Sequence, residues 1–567
     1  MELITVEKEK CVGCNVCIRA CPSRDANRVV VSDDGRYVTE VDHDSCVMCG
    51  ECIKNCVHGA RSYIDDTEKF LHDMQNAAKL VVIVSPACKT ALPEMWQGLL
   101  DWLRSQGIVG IYDGSYGADI SVWANARFVE TVKNNKGLVT ANCPSLIDYI
   151  EKYNHLMLDN LMPVWSPEVC TAIYLKEYLH VPYDIALLSP CIAKKIECLE
   201  SEVINYNVTI KRLYDYAIAE KAKMRPTSAS EVLYRFDGEQ GIMGSMTCRA
   251  GGFRDALYIH DDTKNIVSSD GAKVYKALDL YVEMPSYKHP EIFDVFSCYS
   301  GCNAGPGTGF NDDMFEIMNV MRDIEANAKA RRVVSTSVFG NKKPVDAQRK
   351  TFDETLDYKK FLREFKKQRR PSLTPTASEL DEVFESMGKH TELERNFNCH
   401  SCGYDNCKEM ATAVLRGLNM RENCIIYAKN QLSGENAVLE DKLDQINAVS
   451  ENVSNFAEKL MADIESIYAA LEGIEKNHDE SDKYVNIIIG ILTKIIDMCR
   501  ASTSIEKQDL PTLINTLATL QNALSKLRES FVTSVTNSHE IRSSMKLVAD
   551  AAVSLNSRVD DLLISLH

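Results

Sequence analysis

Residues 184–197 read DIALLSPCIAKKIE. An apolar run, DIALLS (184–189), is followed at once by Pro190 and Cys191, then by charged residues at helical spacing. This is the pattern of a buried strand that ends in a turn and feeds a helix. The same pattern recurs outward along the chain. LVVIVS (80–85) leads into Pro86, GLVTA (137–141) leads into Asn142, Cys143 and Pro144, and EIFDVFS (291–297) leads into Cys298. Apolar runs alternating with helix-like stretches over residues 78–365 predict an α/β domain. In such folds ligands gather beyond the carboxyl ends of the strands. A buried cysteine is more often a small hydrophobe than a ligand. Here Cys143, Cys191, Cys298 and Cys302 share one context, with Pro144, Pro190 and Gly301 beside the first, second and fourth and Gly301 three residues after Cys298, so that backbone can approach a cofactor.

Cysteine organises the flanks as well. The 567-residue chain has 21 cysteines, and they fall in tight clusters with metal-ligand spacing rather than the scatter of a disulfide framework. The first run is Cys11-x-x-Cys14-x-x-Cys17-x-x-x-Cys21-Pro22. The second is Cys46-x-x-Cys49-x-x-Cys52-x-x-x-Cys56, with Val57 in place of the proline. Such short spacing wraps one loop around three corners of a cubane, whereas zinc takes four ligands, usually as two pairs. Residues 1–65 thus resemble bacterial two-cluster ferredoxins, an α+β module. In that family the fourth cysteine crosses over. The resemblance implies one 4Fe–4S cluster on Cys11, Cys14, Cys17 and Cys56, and another on Cys46, Cys49, Cys52 and Cys21.

The central segments TANCP (140–144), SPC-x-x-K-x-x-E (189–197) and SCYSGCNAGPG (297–307) resemble the three signature loops of FeFe-hydrogenases. The family pattern is roughly TSCCP, MPC-x-x-K-x-x-E and E-x-M-A-C-x-x-x-C-x-x-G. The resemblance implies that Cys143, Cys191, Cys298 and Cys302 hold a 4Fe–4S cluster. It makes Cys302 the bridge to a two-iron subcluster with CO, cyanide and azadithiolate. Lys194 then donates to a cyanide, with Glu197 as its ion-pair partner. Ser85, Pro86 and Ala87 resemble the other cyanide-contacting loop. Three positions depart from the family. Asn142 stands where a proton-relaying cysteine is expected, and a carboxamide has no pKa near neutrality. Ser189 and Phe296 replace two methionines. These changes resemble the sensory type, and imply low turnover with the iron ligands intact.

A third group, Cys399-x-x-Cys402-x4-Cys407 followed by Cys424, lies in residues 379–430 and resembles a separate small 4Fe–4S domain; its spacing also permits zinc. His400 is read as a surface residue beside it. Cys88, Cys170, Cys198, Cys248 and Cys499 are expected to be mostly packed side chains, with Cys88 and Cys248 near the active site. Glu168, Cys88, Cys170 and Cys248 are the alternative proton donors should turnover prove fast. KKQRRPSLTPTAS (366–378) reads as a linker.

Residues 435–567 change character. Leu439, Leu443, Ile446, Val449, Val453, Phe456, Leu460, Ile464, Ile467, Leu471 and Ile474 step by threes and fours, as do Leu513, Leu517, Leu520, Leu524, Leu527 and Phe531. Pro511 suits a first helical turn. The pattern predicts a helical hairpin or coiled coil.

A net charge of −17 disfavours nucleic acid and anionic membrane surfaces as partners. No apolar run has bilayer-spanning length, and MELITVEKEK lacks a signal pattern. The expectation is a cytoplasmic protein of an anaerobic host. It carries four 4Fe–4S clusters, one of them within the two-iron site's assembly, and acts as a slow hydrogenase that relays redox state to a helical output region. Its expected partners are H2 and protons, a ferredoxin or other redox partner, a signalling kinase or phosphatase, and a second copy through the C-terminal helices. The alternatives are a working ferredoxin-linked hydrogenase and a non-catalytic iron–sulfur scaffold.

Overall fold

The computed structural model describes residues 2–132, 137–227, 234–257, 265–310, 312–335, 345–368, 375–501 and 510–566. Part of the expected linker, 369–374, lies outside them. The chain forms two compact units, Met1–Ala428 and Lys429–His567, so the three cysteine-bearing regions share the first.

At the N-terminus β1 (Ile4–Val6) pairs antiparallel with β4 (Arg61–Tyr63), and β2 (Asn27–Val31) with β3 (Tyr37–Val41). The two cysteine loops lie between these pairs, each ending in a short helix, Val16–Ala20 and Glu51–Lys54.

The central region continues with β5 (Leu80–Val84), β6 (Gly110–Asp113), β7 (Leu138–Val139), β8 (Asp184–Ser189), β9 (Tyr206–Thr209), β10 (Ile266–Ser269) and β11 (Ile292–Val295). They form two parallel sheets, in the orders β6-β5-β8-β9 and β10-β11-β7. Every residue of β5 is buried, as a parallel strand covered on both faces requires. Val82 and Val84 pack with Leu99, Leu103 and Leu213, while Val81 and Ile83 pack with Ile120, Trp123 and Val169 on the other face. The four strands expected from sequence are present. β6, β9 and β10 were not anticipated, being short runs whose alternation is weak.

The second unit is built on two long helices, Ile425–Ala501, which begins in the first unit, and Leu510–Leu566. They run antiparallel: the His478 and Phe531 rings lie 4.9 Å apart, the Tyr468 hydroxyl donates to the Arg542 carbonyl at 2.9 Å, and Arg528 meets Asp482 at 3.3 Å. The buried line steps by seven from Ser450 through Ala457 and Ile464 to Leu471, and again from Val485 through Leu492 to Cys499. The apolar series read from sequence therefore resolves into separate lines. Leu443, Ile464 and Leu471 fall on the seam between the helices. Leu439, Ile446, Ile467 and Ile474 form a second line, 41–57% exposed, and Val449 and Phe456 point to solvent. The second helix divides alike. Leu517, Leu524 and Phe531 are half-buried, whereas Leu513, Leu520 and Leu527 stay exposed. Among the described residues no helix is long and apolar enough to cross a membrane.

Candidate metal centres

The parallel sheets bring the distant cysteines together. Cys191 follows the carboxyl end of β8, Cys143 that of β7 and Cys298 that of β11. Electrostatics records the convergence: Cys298 feels Cys191 and Cys143, and Cys302 feels Glu168, Lys194 and Cys143. Desolvation first, then mutual repulsion, pushes the Cys298 and Cys191 thiols up, Cys191 to about 12. Such thiols hold negative charge only against a bound metal. Burial raises the Cys143 thiol as well, and backbone N–H groups of Ser297, Leu146 and Ser145 together with Lys194 offset part of that.

The loops that carry these cysteines interlock. Gly307 N–H donates to the Pro190 carbonyl at 2.8 Å. A Cβ on Gly305 would stand 2.4 Å from that oxygen, and one on Gly307 2.6 Å from the Pro190 carbonyl carbon. The glycines of SCYSGCNAGPG thus let the third loop sit directly on the second. Ser189 closes the same turn, accepting from Cys191 N–H at 3.0 Å. Phe296 is buried beside Ser269, whose carbonyl accepts its N–H.

Lys194 is 2% exposed and pairs with two carboxylates, Glu197 at 2.7 Å and Glu168 at 2.9 Å. Burial would lower its pKa, but Glu168 and Glu197 outweigh it and the pKa is raised. Glu168 is held below its ordinary value because Lys194 outweighs desolvation. The Ser85 hydroxyl donates to Glu168, and Ser166 and Arg363 donate to Glu197. An ammonium has three protons. Two serve the carboxylates, and among the described residues nothing takes the third, so these residues fit an anionic group such as cyanide. The pairing with Glu168 was not read from sequence, where nothing local links the two residues. Pro86 and Ala87 start the short helix Ala87–Ala91 directly after Ser85, and Asn142 is buried in the loop before Cys143.

The ferredoxin cysteines also group. Cys21 lies with Cys52 and Cys46, and Cys49 with Cys21, Cys52 and Cys46. Cys11 and Cys17 share the Thr39 hydroxyl at 3.7 and 3.5 Å, and Cys56 packs against Cys11; Cys14 is exposed. Cys21 thus sits with the second run and Cys56 beside the patch that holds Cys11, the placement the ferredoxin resemblance implies for those two residues. Arg61 is buried between the two groups, 3.3 Å from the Cys17 sulfur. Val57 is 87% exposed and touches neither group's interior.

Tyr275 links the ferredoxin cysteines to the central ones. Its buried hydroxyl bonds Ser145 at 2.8 Å and Ser297 at 2.7 Å, and it feels both Cys49 and Cys143.

In the third group Cys399, Cys402, Cys407 and Cys424 line one cavity. Burial, then Cys424 and Cys399, raise the Cys402 thiol. Asn398 N–H points at the Cys407 sulfur at 3.4 Å, and Lys389 Nζ at 3.5 Å. Four thiols with donors aimed at a sulfur fit a cluster. His400 points its ring at the Tyr404 carbonyl, and its own carbonyl accepts from Arg19. The group abuts the first ferredoxin loop: Asn15 and Asn423 exchange amide bonds at 2.9 and 3.1 Å, and Arg416 pairs with Asp25 at 2.6 Å.

Of the remaining cysteines, Cys248 neighbours Cys302, whose N–H bonds the Cys248 carbonyl at 2.8 Å. Cys88 and Cys248 are pushed up to about 12 by burial, and Cys170 is raised likewise. Cys198 is packed in the core and Cys499 in the helical seam. All 21 thiols are free of disulfides.

Comparison with known proteins agrees with this geometry. Residues 78–306 match the family described as iron only hydrogenase large subunit, C-terminal domain. Residues 10–60 match the 4Fe-4S dicluster domain, and 396–426 an Fe-S cluster family. The periplasmic [Fe] hydrogenase large subunit of Nitratidesulfovibrio vulgaris is 28% identical, over 36% of this chain and 53% of its own. Iron hydrogenase 1 of Clostridium pasteurianum is 22% identical, over 54% and 64%. The cytosolic Fe-S cluster assembly factor NAR1 of Kluyveromyces lactis is 26% identical, over 27% and 36%. The chain therefore spans between about a third and two thirds of the length of these relatives. With the cysteine constellation on the carboxyl ends of the strands, these matches make the chain an FeFe-hydrogenase-like iron–sulfur protein.

Proposed function

We propose that the chain is a sensory hydrogenase of low turnover, which binds H2 at a two-iron site next to the Cys143–Cys302 cluster and relays its redox state to the helical unit. When bound, the two-iron group with its CO, cyanide and azadithiolate ligands supplies the place where H2 is split, and the 4Fe–4S clusters supply one-electron storage. The chain's own residues supply the rest. Lys194 offers its remaining proton to a cyanide, and Glu168 and Glu197 hold that ammonium in place. Cys302 is the residue proposed to bridge.

The observation that carries the slow reading is the lack of a suitable proton donor among the candidates. Asn142 cannot exchange a proton near neutrality. Cys88, Cys170 and Cys248 hold their protons tightly, their thiols raised by burial. Glu168 is kept anionic by Lys194. A relay needs a pKa near the working pH, and burial of the three thiols and the ion pair of Glu168 each shift these groups away from it. A sensor needs occupancy by H2 rather than flux.

The NAR1-like relative favours a second reading, a non-catalytic iron–sulfur scaffold. The buried Lys194 with one donor to spare favours the first, since a scaffold has no anion for it to serve. Infrared spectroscopy of the matured protein separates them: CO and cyanide bands that respond to H2 support the sensor, and their absence supports the scaffold. Rapid H2 turnover with a ferredoxin would instead support a working hydrogenase. The same proposal places the protein in the cytoplasm of an anaerobe, with a kinase, a phosphatase or a second copy of the chain receiving the signal.

A further inference from the structure

Lys389 is one of the most deeply buried large side chains in the protein, 1% exposed. It follows the turn after the helix Ala377–Ser386, where its N–H bonds the Phe384 carbonyl at 2.9 Å. Its ammonium donates to the Glu394 carbonyl at 2.7 Å and points at the Cys407 sulfur. Among the described residues no carboxylate pairs with it. The acids nearby are engaged elsewhere. Glu394 caps the short helix Glu392–Arg395 through Thr391, Glu385 pairs with Arg395 and His390, and Asp381 pairs with Arg395.

A buried ammonium without a counter-charge is costly. The anion that can answer it is the thiolate set itself. Four thiolates on an oxidised 4Fe–4S core carry two negative charges together, and one added electron makes three. A fixed positive charge beside Cys407 therefore favours the reduced state.

Two other buried cations differ. Lys194 is matched by Glu168 and Glu197, and Lys152, near Cys46, is matched by Asp148 at 2.7 Å. Their charge is largely neutralised before it reaches a cluster, whereas Arg61, buried beside the Cys17 sulfur, resembles Lys389 in having no carboxylate partner among the described residues.

We infer that Lys389 is a positioning residue that raises the reduction potential of the Cys399–Cys424 cluster. This rests on reading that group as a 4Fe–4S cluster. The step it favours is the addition of one electron to this cluster from a one-electron donor, which is oxidised; no proton moves.

The test is a mediated redox titration of the full-length protein with its 4Fe–4S clusters, without the two-iron group and without H2, followed by electron paramagnetic resonance. Dithionite serves as reductant, and the signal lost in Cys402→Ser identifies the cluster. Lys389→Gln, which can still donate to the Glu394 carbonyl, should lower the ratio of reduced to oxidised cluster about tenfold at fixed potential. That is ~59 mV for a one-electron couple. Lys389→Arg should keep the wild-type midpoint, and the other clusters should not move. An unchanged midpoint in Lys389→Gln at full iron content overturns the inference, as does zinc at this site. Should Lys389→Gln not retain the cluster, Lys389→Met takes its place: a midpoint equal to wild type overturns the inference, and so does loss of the cluster in both variants, which would make the role of Lys389 structural. No step needs hydrogen chemistry, so the outcome is separate from that of the sensory reading.

Discussion

Lys194 and Glu168 reach the site from two different helices, and their charges meet at 2.9 Å where each side chain is less than a tenth exposed. Glu168 stands in the first turn of its helix, behind Pro167, and its other oxygen accepts from Ser85. One carboxylate thus ties the lysine to the loop expected to hold a cyanide.

Glu168→Gln should destabilise the iron-free chain by up to about 3 kcal/mol, since a broken buried pair costs about 3–5 kcal/mol and Glu197 remains. The pH dependence follows from the two shifts. The pKa of Glu168 is lowered, so its contribution is present above its ordinary value of 4.5 and is lost as pH falls through the depressed one. That of Lys194 is raised, so its contribution is present below 10.5 and is lost as pH rises beyond it. The Tm difference between wild type and variant should be flat from about pH 5 to about pH 10 and close in acid. Circular dichroism melts measure it; a gap that changes steadily through neutrality contradicts the pairing.

Asn142→Cys should raise H2 turnover of the matured protein, by at most the ~10²–10⁴-fold that a positioned acid typically contributes. Wild-type turnover equal to that of a ferredoxin-linked hydrogenase would sink the sensory reading.

Four thiol groups predict four cubanes, roughly 16 iron atoms, with two more after maturation. Iron and zinc analysis of anaerobically prepared protein checks the count. Zinc in the Cys399–Cys424 group would remove one cubane from it.

The exposed apolar lines of the hairpin predict self-association. Ile467 and Ile541 are 41% and 47% exposed, and step by sevens with Ile474 and Val548. An uncovered seam of this kind is a helix–helix interface. Sedimentation of the full chain should show a dimer that Ile467→Lys with Ile541→Lys converts to a monomer of unchanged helicity. Glu480→Lys, at an exposed position outside these lines, should leave the dimer intact. A wild-type monomer would mean that the hairpin stands alone.

The cysteine runs were legible because a cubane is wrapped locally, by residues two or three apart. The strands before Cys143, Cys191 and Cys298 were legible because both faces of a parallel sheet are apolar. The pairing of Glu168 with Lys194, and the placement of Arg61, Tyr275 and Lys389, were not, since each acts across the fold on a group far away in sequence; Glu168 itself was named only as a candidate proton donor. The helical seam was half legible. Apolar residues at threes and fours mark both lines alike, and only the pairing decides that Ile464 turns inward while Ile467 stays out.

The contact of Gly305 and Gly307 with the Pro190 carbonyl has a bearing on how the centre is loaded. Two of the three cysteine loops are latched to each other by chain-to-chain bonding that does not run through iron. On that footing we expect the centre to keep its shape when emptied. Chelation should empty it without melting it, and refilling should be fast and free of hysteresis, unlike a finger whose fold is held by its ion.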